Sequence, residues 1–327
     1  MIYQAAHAIV TDDVFLALPR FADRADVELY LKIEALNPAG SIKLKPAVCM
    51  IEDAERDGLL VPGSRIIESS SGNLGTALAM VCAAKGYRLT IVTDLNANRA
   101  AVDTMRCLGA TVTVIATPDA GGGFLSGRIA HIHRALAADP GLVWLNQYAN
   151  PANPRAHRTH TASSIHKEFG TVDVLFVGAG TTGTLVGCVD YFREHCPQTR
   201  IVAVDAEGSV TFGAPPGVRH LPGLGTSVRP AILGDGRGDF DTCQVSEVDS
   251  IATCREVARR YGLLVGASTG SVLAAVRSLI PTIVPGSRIV AISPDLGDRY
   301  LETVYDDCWT ASRYPSSGLP PTGGIVA

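Results

Sequence analysis

NPAGSIKLKPA, from Asn37 to Ala47, places one lysine, Lys43, behind a Pro/Gly/Ser turn and just ahead of a helix-forming run. The turn residues fix the local backbone, and Pro46 suits the first turn of the helix that follows. A lysine on such a rigid platform is placed to form a Schiff base with an aldehyde cofactor. Read alone, the same residues also describe a solvated lysine at a helix start.

Outward from this stretch, short β-rich runs alternate with helical ones. Strands are expected at Glu28–Ile33, Arg65–Glu68, Leu89–Thr93, Thr111–Ile115, Val172–Val177, Ile201–Asp205 and Arg288–Ile292. Helices are expected at Pro46–Asp57, Asn73–Lys85, Asn98–Leu108, Ser126–Ala138, Ala156–Phe169, Thr182–His195, Ile251–Tyr261 and Thr269–Ile280. Runs such as VDVLFVGAG and RIVAVDAE are apolar at consecutive positions, as strands covered by helices on both faces must be. The alternation predicts an α/β chain with open, mostly parallel twisted sheets. The turn-rich NQYANPANP, Asn146 to Pro154, separates two series of βα units. Two α/β domains follow, a smaller one over 45–150 and a larger one over 1–44 plus 151–313. Ligands of such sheets bind beyond the carboxyl ends of the strands, so the cleft between the domains is the expected site. The Pro/Gly-rich end, 314–327, reads as a disordered tail.

The 327 residues, 46% hydrophobic and 18% charged, suffice for a substantial core. A net charge of −4 without a basic stripe gives no nucleic-acid surface. The eight cysteines are scattered with no CxxC pair, so a zinc site is not expected; most lie in apolar surroundings and read as small core residues of a reducing cytoplasm. No apolar run approaches the roughly 20 residues needed to span a bilayer, and the N-terminus lacks a secretory pattern. A soluble, cytoplasmic protein without metal is expected.

Three loops stand at predicted strand ends. ESSSGNLG, Glu68 to Gly75, brings hydroxyls and backbone N–H groups to a helix start, which suits an amino-acid carboxylate; it also reads as an ordinary helix cap. GAGTTGT, Gly178 to Thr184, follows the strand VDVLFV and has the character of a phosphate cradle. It also matches GxGxxG, with Asp205 ending the next strand as a ribose-binding acid would, which proposes a nicotinamide oxidoreductase. GASTGS, Gly266 to Ser271, puts the neutral hydroxyls of Ser268 and Thr269 at a helix start, where a cap is the simpler reading.

Together these segments resemble the fold-type II pyridoxal-phosphate enzymes, the tryptophan synthase β and cysteine synthase family, from about Asp12 to Trp309. The resemblance makes Lys43 the Schiff-base residue. It implies that Asn73 contacts the cofactor's phenolic oxygen, that Gly180, Thr181, Thr182, Gly183 and Thr184 hold its phosphate, and that Ser268 faces its pyridine nitrogen. Ser70, Ser71, Gly72 and Gln147 would meet the substrate carboxylate. Cysteine synthases usually read Lys-Asp-Arg at the lysine and threonine before SGN, whereas this chain has Lys43-Leu44-Lys45 and Ser70. With LPGLGTSVRP (Leu221–Pro230), these departures resemble the branch making N-(2-amino-2-carboxyethyl)-L-glutamate from O-phospho-L-serine and L-glutamate, toward 2,3-diaminopropionate for siderophores and peptide antibiotics.

The resemblance implies β-replacement through an α-aminoacrylate, with Lys43 as the proton-transferring base and pyridoxal 5'-phosphate as cofactor. A cysteine synthase using sulfide with O-acetyl- or O-phosphoserine is the alternative within the class, followed by a serine/threonine dehydratase; a silent binding protein on the same fold is another. Two anionic substrates call for a cation near the cleft. Arg229, in a Gly/Pro-rich loop, is the candidate, although a solvated loop arginine reads equally well. His157 is expected to serve a structural role at a helix start. A homodimer is the family expectation.

Overall fold

Valine- and isoleucine-rich runs become the buried centres of two sheets in the computed structural model, which describes residues 2–118, 123–234 and 239–322. In chain order the elements are β1 (Phe15–Ala17), β2 (Glu28–Ile33), α1 (Leu44–Arg56), β3 (Arg65–Ser69), α2 (Asn73–Lys85), β4 (Arg88–Asp94), α3 (Arg99–Cys107), β5 (Thr111–Ile115), α4 (Leu125–Ala138) and β6 (Leu142–Trp144). After them come α5 (Ala152–Ala156), a π-helical turn at His157–Ala162, α6 (Ser163–Phe169), β7 (Val174–Gly178), α7 (Gly183–His195), β8 (Arg200–Ala206), β9 (Asp241–Val245), α8 (Glu247–Tyr261), α9 (Ala267–Leu279), β10 (Arg288–Ser293) and α10 (Asp307–Arg313).

One sheet has the order β1-β2-β10-β7-β8-β9, the other β5-β4-β3-β6. Every pairing is parallel except that of the edge strand β1 with β2. The central strands β7, β8 and β10 are buried along nearly their whole length, because separate apolar cores pack on the two faces of the six-stranded sheet. A further core joins α1 and α2 to the four-stranded sheet. Leu44, Ala47, Met50, Ile51 and Ala54 form the buried stripe of α1 at helical spacing. Full burial of a side chain such as Met50 or Ile51 contributes roughly 1.5–3 kcal/mol.

The expected mostly parallel α/β architecture is therefore present, with differences in detail. The short β1 and β6 and the polar edge strand β9 are additions to the strands expected from sequence. The helix expected from Ile251 starts at Glu247, because Ser246 caps it by accepting a hydrogen bond from Asp249 N at 3.0 Å. The helix expected over Ala156–Phe169 is interrupted by the π turn. The expectation of disorder from Tyr314 onward does not hold over 314–322, which are tied down. Tyr314 donates to Glu247 over 2.6 Å, Arg255 donates to the Pro320 carbonyl over 2.7 Å, and Thr322 N donates to Asp307 over 3.1 Å. Residues 323–327 lie outside the described part.

Candidate active site

The loops after β3 and β7, the turn before α1 and the start of α9 converge between the two sheets. Lys43 Nζ lies 3.5 Å from Thr181 Oγ1. Asn153 Nδ2 reaches the same hydroxyl at 3.3 Å and also donates to the Gln147 carbonyl at 2.9 Å. Gln147 in turn donates through Nε2 to the Ser69 carbonyl at 2.7 Å. One hydrogen-bonded path thus joins the lysine, the glycine-rich loop, Gln147 and the serine loop. Part of Lys43 touches solvent, yet its amine lies deep enough that burial lowers its pKa to about 8.

Within the serine loop, Ser70 Oγ accepts from Gly75 N at 2.9 Å and from Gly72 N at 3.3 Å, so it shapes the entry to α2 and keeps its own O–H to give. Ser71 and Gly72 are half-buried at that entry. Asn73 opens α2 and is held on both sides: Nδ2 donates to Asp295 at 2.7 Å, and Arg299 donates to Oδ1 at 2.5 Å. Burial raises the pKa of Asp295, against the hydrogen bonds from Asn73 and Tyr300. Just before the loop, burial likewise pushes Glu68 up to about 7 although Ser69 N and Trp144 Nε1 donate to it.

At the start of α7, Thr182 adopts left-handed backbone at φ +67°, an uncommon conformation for a threonine that functional loops tend to hold. Its Oγ1 is buried and has no hydrogen-bond partner among the described residues. A Cβ at Gly180 would come within 2.8 Å of the Gly223 carbonyl, and one at Gly183 would overlap Asn153 Oδ1. Glycine is thus required twice for the loop to fold back on its neighbours. Thr184 is bonded to His157 at 3.3 Å. Ser268, buried in the first turn of α9, stands 3.5 Å from the position a Cβ would take at Gly223, whose carbonyl in turn packs on Gly180.

Arg229 donates to the Thr211 and Gly234 carbonyls at 3.2 and 2.9 Å, on a groove of about 510 Å³ that Trp144, Asn146 and Tyr148 also line. Sequence reasoning missed a second cation, Arg128 of α4. It is buried, its Nε 3.4 Å from Asp94 at the end of β4, and it interacts with the phenol of Tyr148. Neither its Nε nor its Nη1 has a hydrogen-bond partner among the described residues. A signal for it exists in the sequence: Arg128 shares the face of Leu125 and Ile132, so it interrupts an apolar stripe. Asp205, the expected ribose acid, is fully buried and accepts from Ala206 N at 2.9 Å. His157 is not at a helix start but in the π turn, bonded to Thr161 and Thr184.

No helix among the described residues is long and apolar enough to cross a membrane, and no group of three or more His, Cys, Asp or Glu side chains there could hold a metal ion.

The profile of a family described as "Pyridoxal-phosphate dependent enzyme" matches residues 13–295. A protein of Ralstonia nicotianae named N-(2-amino-2-carboxyethyl)-L-glutamate synthase is 43% identical over 296 residues, 90% of this chain and 87% of the relative. One of the same name from Cupriavidus metallidurans is 40% identical over 308 residues, 93% of this chain and 90% of the relative. Among solved structures, an O-ureido-L-serine synthase superposes with TM-score 0.85 at 31% identity, covering 95% of this chain and all of its own. The O-acetylserine dependent cystathionine beta-synthase of Helicobacter pylori superposes with TM-score 0.85 at 29% identity, covering 93% of this chain and 98% of its own.

Proposed function

Because this chain belongs to the family of pyridoxal-phosphate dependent enzymes, we propose that it joins O-phospho-L-serine to L-glutamate by β-replacement. The products are N-(2-amino-2-carboxyethyl)-L-glutamate and phosphate, a step toward L-2,3-diaminopropionate for a siderophore or peptide antibiotic. The names of its relatives support the reaction. The observation that carries the phosphorylated donor is the buried guanidinium of Arg128 beside Tyr148, two of whose nitrogens lack hydrogen-bond partners among the described residues. A buried cation with unused donors suits a dianionic phosphate far better than a neutral acetyl ester.

Pyridoxal phosphate is the cofactor, and the residues fit it. The unpartnered Thr182 hydroxyl, the two close-packed glycines Gly180 and Gly183, and the N-terminus of the thirteen-residue α7 suit its phosphate. Lys43, beside Thr181, would hold it covalently. When bound, the cofactor supplies an electron sink for the charge left when a substrate loses its α-proton.

The chain's own residues do the rest. The Lys43 amine, with a pKa near 8, removes the α-proton and later returns it at the same carbon. The Cβ–O bond breaks and phosphate leaves with its electron pair, towards Arg128. The amine of glutamate then forms the Cβ–N bond and gives up a proton. Ser70 through its free O–H, with Ser71, Gly72 and the second amide hydrogen of Gln147, orients the donor carboxylate. Asn73 would meet the cofactor's phenolic oxygen, and Ser268 its pyridine nitrogen. Arg229, at the groove, serves the carboxylates of glutamate. The working form is a cytoplasmic homodimer.

A competition assay tests the reading. Purified holoenzyme receives O-phospho-L-serine or O-acetyl-L-serine as donor and equimolar L-glutamate and sulfide as acceptors, with products resolved by mass spectrometry. The carbon–nitrogen product from phosphoserine is expected to dominate. Cysteine as the main product would replace this reading with a cysteine synthase.

A further inference from the structure

Behind the phosphate loop lies a second polar cluster that the reaction does not use. Lys32, Glu34 and Lys45 are all buried, with Lys32 Nζ 3.2 Å and Lys45 Nζ 2.5 Å from the two oxygens of Glu34. Asp12 closes the set: it pairs with Lys45 and, from its more exposed side, with His160 at 3.1 Å. Two lysines and two carboxylates balance in charge, as a buried group of this kind requires.

An ammonium has three hydrogens to give. Lys45 donates to Glu34 and to the hydroxyl of Thr161, the latter at 3.3 Å, and is ion-paired with Asp12. Thr161 Oγ1 therefore accepts from Lys45, which leaves its own hydrogen available to His157 Nδ1, 3.1 Å away. An Nδ1 that accepts leaves the ring proton on Nε2. Nε2 would then donate to Thr184 Oγ1, 3.3 Å away at the first turn of α7, which would leave the Thr184 hydrogen free for another acceptor.

We propose that Lys45, acting through Thr161 and His157, fixes the direction of the Thr184 hydroxyl so that it donates to the cofactor phosphate. The proposal rests on the assignment of the Gly180–Thr184 loop to that phosphate. Lys45, Thr161 and His157 are positioning residues, since they touch no reacting atom.

Three further observations support it. The π turn at His157–Ala162 holds His157 and Thr161 in mutual contact, and such bulges recur at functional sites. Gly187 lets that turn pack on α7, for a Cβ there would come within 2.8 Å of His157 Cβ. Burial, followed by the charges of Lys43 and Lys45, holds the His157 pKa well below its ordinary value, so the ring is neutral and must choose one tautomer.

The test uses holoenzyme labelled with ¹⁵N-histidine, the His157 signal being identified by its loss in His157→Gln. The expected result is a single Nε2–H tautomer. Thr161→Val should mix the tautomers, shift the ³¹P resonance of the bound cofactor and weaken cofactor binding about tenfold, the worth of one charge-assisted hydrogen bond. Thr161→Ser, which keeps the hydroxyl, should restore all three. Lys45→Met should reproduce the tautomer change if it folds; the threonine pair decides the matter if it does not. An Nδ1–H tautomer in the parent enzyme overturns the proposal. So does a Thr161→Val variant with unaltered tautomer and ³¹P signal. If the tautomer responds to Thr161 while the ³¹P signal does not, the hydrogen-bond order stands but the phosphate assignment of the loop fails, so the two readings fail separately.

Discussion

Asn73 Nδ2 donates to Asp295 Oδ2 over 2.7 Å, tying the start of α2 beside the four-stranded sheet to the segment that follows β10 in the six-stranded one. Asp295 sits where it does because Gly266, at the N-cap of α9, has no side chain: a Cβ there would overlap Asp295 Oδ1. Gly266→Ala must therefore push Asp295 away and release Asn73. We expect a loss of about 1–3 kcal/mol in urea denaturation, with a shift of the visible cofactor band. An alanine variant with parental stability and spectrum would show that the contact relaxes without cost.

Lys43 sets a pH dependence whose sign follows from burial. Its pKa falls from the lysine value of 10.5 to about 8, so about a tenth of the amine is neutral at pH 7. Capture of pyridoxal phosphate by the apoenzyme should accelerate as pH rises towards 8 and level off above it. Between pH 8 and 10.5 the unfolded chain binds the proton that the folded one has lost, so apoprotein stability from this group rises with pH across that window. Lys43→Ala should lose both the pH-dependent capture and the visible absorbance. Stopped-flow absorbance at a series of pH values reads the first effect directly, and a capture rate flat from about pH 6 to 9 contradicts the assignment.

How much of this is legible in the sequence follows from which physical signals are local. β7, β8 and β10 announce themselves because strands buried on both faces must be apolar throughout. The edge strands β1, β6 and β9 are short or half-exposed, so their residues carry no periodic apolar signal. The π turn is invisible because six residues of wider helix leave the apolar spacing almost unchanged. Lys43 and the Gly180–Thr184 loop stand out as candidates because turn chemistry is written in neighbouring residues. Asn73 and Asp295 are 222 positions apart, and nothing short-range links them. In sequence Lys45 stands out only as a departure from the cysteine synthase pattern. Its burial against Glu34 depends on how α1 packs beside β2, which no local pattern records.

Gly183 offers a cleaner probe of the proposed phosphate cradle than any threonine, since its replacement adds volume and removes no donor. An alanine Cβ would overlap Asn153 Oδ1, and Asn153 also holds Thr181 and the Gln147 carbonyl. Gly183→Ala should therefore open the loop and weaken cofactor retention by about tenfold or more, the scale of a lost charge-assisted hydrogen bond. Equilibrium dialysis against pyridoxal phosphate measures it. Retention equal to that of the parent would show that Asn153 can move aside without disturbing Thr181.

If Arg128 and Arg229 divide the anion work as proposed, their variants should separate donor from acceptor. Arg128 is buried beside Tyr148, one residue past Gln147, with two nitrogens lacking hydrogen-bond partners among the described residues. Arg229 is anchored on the Thr211 and Gly234 carbonyls and faces the groove. Arg128→Gln keeps a polar side chain near Asp94 but removes the charge. It should raise the KM for O-phospho-L-serine by about tenfold or more, because a hydrogen-bonded charge pair is lost, while hardly changing the KM for O-acetyl-L-serine. Arg229→Ala should instead raise the KM for L-glutamate and leave the donor's nearly unchanged. Steady-state kinetics with each substrate varied in turn read the two effects. Equal losses for phosphoserine and acetylserine in Arg128→Gln would assign that arginine to the fold, through Asp94 and Tyr148, and leave the departing phosphate to another group.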